Sequence, residues 1–220
     1  MGHPVELTTP RGPISGWRAD PPIPPRGAVI VVQEIFGVNH HMREQVDRLA
    51  GHGFIAVAPA FFDHIEPGIE LGYDAEGVAR GRELVEALGF EAVLRDLEAI
   101  AYQLDSEAPV GVVGFCWGGT VALLANTRLG LPAVDYYGAR SMPFLHERLR
   151  APMLFHFGEH DPLIPPEHVE AHRKAWPEAT VHVYPAGHGF NCDQRSDYHA
   201  ASAREAMDRT VRFLTRHLKS

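Results

Sequence analysis

Cys116, Asp161 and His188 are the residues whose types and order in the chain can do covalent chemistry. A cysteine attacks an acyl carbon as its thiolate. A histidine takes the thiol proton and later hands one to the leaving group, and an aspartate holds the histidine in one tautomer and favours the imidazolium. Each of the three stands in a turn: Gly114-Phe115-Cys116-Trp117-Gly118, Gly158-Glu159-His160-Asp161-Pro162 and Ala186-Gly187-His188-Gly189-Phe190. The first has the spacing of the G-x-S-x-G turn that lifts a nucleophile above a sheet, with cysteine at the nucleophile position. Taken singly, the three also read as a packed thiol, a turn former before Pro162 and a loop histidine. As an ordered set they favour nucleophilic acyl transfer. That chemistry needs two N–H donors for the oxyanion, expected from Trp117, the residue after the nucleophile, and Ile35, in the loop after an early strand.

Strands must place these turns. Val110 to Val113 is an apolar run entering the cysteine turn, and Gly119 to Ala125 reads as the helix leaving it. Gly27 to Gln33 and Phe54 to Ala58 are continuous apolar runs of the kind found in strands buried on both faces. Ala133 to Gly138, Pro152 to Phe157 and Thr180 to Tyr184 supply three further strands. Helical spacing marks His40 to Gly51, about Ala75 to Leu88, a helix with Val93, Leu94, Leu97, Ile100, Ala101 and Leu104 on one face, and Pro166 to Trp176. The last helix carries a stripe of Ala200, Ala203, Met207, Val211, Leu214 and Leu218. Val5 to Thr9 and Ile14 to Ala19 read as an N-terminal strand pair, and Phe61 to Tyr73 as irregular. Alternating strands and helices predict an α/β fold, a mostly parallel sheet with helices on both faces, in one domain over residues 1–220. In such sheets the ligand sits at the carboxyl ends of the strands, where all three candidate residues fall.

Composition narrows the partners. A net charge of -8 with no basic block argues against nucleic acid. No apolar run approaches the roughly 20 residues of a membrane span. The N-terminus shows neither a basic region nor an apolar signal core, so a cytoplasmic protein is expected. The two cysteines, Cys116 and Cys192, are expected to be free thiols. Neither His40-His41 nor His156 belongs to a set with zinc-site spacing, and no metal or other cofactor is expected.

Four motifs in order, Gln33-Glu34-Ile35-Phe36-Gly37-Val38-Asn39, Gly114 to Gly119, Gly158 to Asp161 and Ala186 to Phe190, resemble the dienelactone hydrolase (carboxymethylenebutenolidase) family. The chain order nucleophile, acid, histidine is that of the α/β-hydrolases. The resemblance implies an α/β-hydrolase fold, a Cys116-His188-Asp161 triad without metal, and hydrolysis of a small lactone or ester, dienelactone to maleylacetate in the degradation of chloroaromatics. It implies a monomer. It gives Glu34 the role of contacting the resting thiol until substrate displaces it. A carboxylate at the mouth of a buried strand is costly unless paired or used, which accords with that role. The family holds its substrate carboxylate with two arginines. The first falls at Arg80 or Arg82, with Arg80 preferred. The second would fall four residues after His188, where Cys192 stands, with Arg195 close by in sequence. Ion pairs with Glu76, Glu83 and Glu86 are the alternative reading of Arg80 and Arg82. Tyr136 and Tyr137 end a strand and suit either pocket or core; Tyr136 is the candidate substrate contact. The departure at Cys192 leaves two other readings open: a broader carboxylesterase, and a non-catalytic module that binds small anions on the same fold.

Overall fold

The computed structural model describes residues 1–218. Eight strands form one sheet in the order β1-β2-β4-β3-β5-β6-β7-β8, where β1 is His3–Leu7, β2 Ile14–Ala19, β3 Ala28–Val32, β4 Ile55–Pro59, β5 Val110–Phe115, β6 Ala133–Tyr136, β7 Met153–Gly158 and β8 Thr180–Tyr184. The first two strands pair antiparallel with each other and with β4; every pairing from β4 through β8 is parallel. All residues of β3 through β7 are buried. A sheet buried at successive residues, which point to opposite faces, is covered on both. This is the α/β architecture expected from the alternating elements.

The helices are α1 (His40–Gly51), α2 (Ala75–Leu88), α3 (Phe90–Asp105), α4 (Trp117–Leu124), α5 (Pro166–Ala175) and α6 (Ala200–His217). Two start on side-chain caps: Asn39 accepts from the N–H of Met42 and Asp74 from that of Gly77, each satisfying an otherwise orphaned donor. Between β4 and α2 the irregular segment contains one 3-10 turn, Phe61–His64. After α4 the chain runs into a π-helical turn, Ala125–Leu129, which ends at Gly130 in the left-handed region. Asn126 there donates to the carbonyls of Leu131, Ala151 and Pro152, bridging three chain segments.

The stripe on α6 differs from the expected one. Its buried residues are Ser202, Ala203, Ala206, Thr210 and Leu214, while Ala200 is exposed and Met207 and Val211 only half-buried. Thr210 draws the helix round because its hydroxyl lies 2.7 Å from the Tyr136 hydroxyl and 3.0 Å from His156 Nε2. His156 Nδ1 in turn lies 2.9 Å from the Tyr184 hydroxyl. Burial holds His156 well below its ordinary pKa, so a neutral ring links strand and helix.

Chain crossovers change direction at β3, which lies between β4 and β5. Val32 is in register with Gly114, which sets Gln33-Glu34-Ile35 beside the Cys116 turn. Gly158 is in register with Tyr184, which sets the Asp161 loop beside that of His188. The strand order therefore converges all four sequence motifs on one crevice, at the point where ligands bind in open α/β sheets.

Candidate active site

Cys116 sits between β5 and α4 with φ 54°, ψ -116°, a conformation in which a non-glycine residue is strained. The turn is fixed by the Cys116 N–H, which donates to the Tyr136 carbonyl at 2.9 Å, and by the Gly119 N–H, which donates to the Cys116 carbonyl at 2.9 Å. It is also too tight for side chains: a Cβ on Gly114 would stand 1.8 Å from the Gly118 carbonyl oxygen, and one on Gly118 2.4 Å from that of Val32.

The sequence-predicted trio is assembled. His188 Nε2 lies 3.2 Å from Cys116 Sγ, and its Nδ1 lies 2.7 Å from Asp161 Oδ2. The second Asp161 oxygen accepts the Leu163 N–H at 2.8 Å, so the carboxylate is held at both ends. Asp161 and His188 are buried, and the thiol is half-buried. Burial pulls the imidazole pKa down, but the opposing charges of Cys116 and Asp161 outweigh it and push the ring up to about 10. The arrangement thus favours the imidazolium form of His188 beside the Cys116 sulfur.

Cys116 and His188 open into a cavity of about 530 Å³. Ile35 and Trp117 line it, as does an apolar wall of Phe36, Val78, Ala139 and Leu163. Trp117 is the first residue of α4, so its N–H has no acceptor within the helix. Three arginines, Arg82, Arg140 and Arg195, line the same cavity.

Three sequence expectations need correction. Arg80 does not reach the cavity: it pairs on the surface with Glu66 at 3.0 Å and Glu83 at 3.1 Å, and Arg82 faces the cavity instead. Tyr136 does not line the cavity either. It is fully buried, its hydroxyl taken by Thr210, whereas the next residue, Tyr137, sets its ring edge-on to His188 with centroids 5.2 Å apart. Tyr137 has φ 45° and its buried hydroxyl has no partner. Glu34, finally, does not touch the thiol. It is buried beside the site, with Oε1 3.4 Å from the Arg195 guanidinium and Oε2 unpartnered. The thiol is turned to His188, leaving Glu34 to the arginine.

Sequence reasoning missed Arg140 and the partnership of Arg195 with Glu34. It also missed the surroundings of Cys192, whose buried thiol donates to the Tyr73 hydroxyl at 3.3 Å. Burial pushes that thiol up to about 11. A buried carboxyl under the turn, Asp135, was likewise unforeseen. Its Oδ1 accepts the Gly138 N–H at 2.6 Å and its Oδ2 has no partner. Burial raises it to about 7.

Known proteins share both the sequence and the architecture. The sequence pattern of the dienelactone hydrolase family matches residues 14–218. A protein named "Putative carboxymethylenebutenolidase" from Synechocystis sp. is 36% identical over 231 residues, covering 94% of this chain and 93% of that one. The carboxymethylenebutenolidase of Pseudomonas putida is 34% identical over 215 residues, covering 92% and 90%. A crystal structure titled "Putative Dienelactone Hydrolase" from Klebsiella pneumoniae superimposes with a TM-score of 0.84 at 29% identity, covering 97% and 98%. With its α/β-hydrolase fold, this chain belongs to the dienelactone hydrolase family and is an ester hydrolase.

Proposed function

We propose that the protein hydrolyses small lactones or esters that carry a carboxylate, of the carboxymethylenebutenolide type, through Cys116, His188 and Asp161. The observation that carries this reading is the continuous line from Asp161 Oδ2 through both His188 nitrogens to Cys116 Sγ at the wall of the cavity. The thiolate attacks the carbonyl carbon, and the oxyanion is received by the N–H groups of Trp117 and Ile35. The ring C–O bond breaks as His188 delivers its proton to the leaving oxygen. A thioester on Cys116 remains. His188, now neutral, takes a proton from water, whose hydroxide oxygen attacks the thioester. The acid product leaves and the thiolate–imidazolium pair is restored.

Arg82, Arg140 and Arg195 support an anionic substrate, since guanidinium is the side chain best matched to a carboxylate. Arg195 supplies from the other side of Cys192 the positive charge that the family places four residues after the histidine. Its present partner is Glu34, so a substrate carboxylate competes with Glu34 for the guanidinium and frees that side chain beside the thiol.

The test is hydrolysis of a panel of enol lactones and activated esters by the wild type, Cys116→Ala and Arg195→Gln. Cys116→Ala is expected to abolish turnover on every substrate. Arg195→Gln is expected to raise KM for carboxylate-bearing substrates at least tenfold (~1.4 kcal/mol) while sparing neutral esters. Unchanged turnover in Cys116→Ala overturns the nucleophile assignment, and equal losses on acids and neutral esters overturn the substrate class.

A further inference from the structure

Behind the cavity lies a buried polar cluster of which the hydrolytic reading uses only Glu34. Glu34, His41 and Cys192 each offer a ligand atom, and these atoms lie within 4.8 Å of one another. All three residues are buried, at 1%, 0% and 0% exposure. Within these residues, Glu34 Oε2 and His41 Nε2 have no hydrogen bond. Buried polar atoms left unpaired cost roughly 1–3 kcal/mol each, so two at one spot imply something that binds there.

The donor set says what. A carboxylate oxygen, an imidazole nitrogen and a thiolate sulfur together are the ligand types of a borderline-soft divalent cation of the zinc class, and too soft for magnesium or calcium. We propose that Glu34, His41 and Cys192 form a binding site for such a cation. The ligands come from the loop after β3, from α1 and from the loop after β8, which is why no run of residues shows the spacing of a zinc motif.

The surroundings fit the assignment. His41 Nδ1 lies 3.5 Å from the side-chain amide of Gln45, whose Oε1 is itself unpartnered. With the amide turned over, Oε1 accepts the Nδ1–H and the lone pair of Nε2 is left for the metal, the arrangement that orients metal-binding histidines elsewhere. Cys192 binds as thiolate, its proton passing to solvent, and the Tyr73 hydroxyl that now accepts from it or a water completes four-coordination. Arg195 repels the cation but stays on the other Glu34 oxygen, and the two anionic ligands offset it. His41 also groups with Glu44 and Asp193, half-buried and exposed respectively, which mark a way in from the surface.

Binding is tested in the Cys116→Ala protein, so that the thiol of the cavity cannot bind the metal and the result stands whether or not Cys116 is the nucleophile. The metal-free protein is titrated with cobalt(II), read by its visible absorption, and with zinc(II) against a coloured chelator. One equivalent is expected to bind with thiolate-to-cobalt charge-transfer absorption. Adding Cys192→Ser is expected to remove that absorption, and adding His41→Gln to weaken zinc binding by about 100-fold, with circular dichroism confirming that each variant is folded. Absence of the charge-transfer band, or zinc affinity unchanged by both substitutions, overturns the site.

Discussion

Asp135→Asn isolates a pH-dependent cost built in beneath the nucleophile. Asp135 is fully buried, with one oxygen on the Gly138 N–H and the other on nothing. A Cβ on Gly119, in the first turn of α4, would stand 2.2 Å from Oδ1, so the carboxyl is wedged against the elbow with no room to turn toward water. Burial raises its pKa from 3.8 to about 7, against smaller opposing effects of the Gly138 hydrogen bond and the charge of His188. Because the folded form holds its proton more tightly than the unfolded chain, the folded state binds more protons between those two values, and stability falls as pH rises through them. A shift of about three units at 1.36 kcal/mol each amounts to roughly 4 kcal/mol, absent below about pH 4 and complete above about pH 8. Asparagine keeps the acceptor for Gly138 and cannot ionise. Its own unpaired amide adds an offset that does not change with pH. Urea unfolding of both proteins at several pH values between about 5 and 8 reads the difference, in which the other titrating groups cancel. The wild-type curve is expected to fall relative to the variant by a few kcal/mol over that range. Parallel curves refute the reasoning.

Three further substitutions test the placement of single residues. Arg82→Ala is expected to raise KM for carboxylate-bearing substrates about tenfold or more, and Arg80→Ala to leave steady-state kinetics as they are; the reverse result restores Arg80 to the cavity. Tyr136→Phe is expected to lower stability by about 1 kcal/mol in thermal or urea unfolding, through the lost Thr210 contact, with kcat unchanged. Gly114→Ala is expected to cost more than the ~3 kcal/mol at the upper end of overpacking, since the obstacle is a backbone carbonyl that cannot rotate aside; a melting temperature within a few degrees of wild type refutes the clash.

The trio was legible in the sequence because each member follows its strand by a few residues, and strand ends converge whatever the side chains around them do. The arginines were not, for a reason of helix phase. Residues two apart on a helix point about 200° apart, so a two-residue change in a loop gap exchanges a cavity arginine for a solvent one. Gly81 records the phase in the structure: its face packs on the Ile35 carbonyl, with no room for a Cβ, and Arg82 rather than Arg80 lies toward the site. The end of β6 has the same consequence at Tyr136 and Tyr137, where one residue decides between the core and the histidine. The stripe on α6 was misread because Thr210 counts as polar until its two buried partners, Tyr136 and His156, are known. Glu34 and Arg195, 161 residues apart, leave no local trace of their contact.

The separation of Cys116 and His188 by 72 residues also sets the order in which the site comes into being. The elbow is local: its strand, turn and helix can form as soon as residues 110–124 have emerged. The imidazole, Glu34's arginine partner and the α6 threonine that ties Tyr136 in place all come later in the chain. At the roughly 5–20 residues per second of synthesis, the thiol spends about 4–15 s without its base. During that interval it lacks the base that activates it and is slow to oxidise and slow to acylate. The nucleophile is made early, and its reactivity arrives only when the end of the chain closes over it.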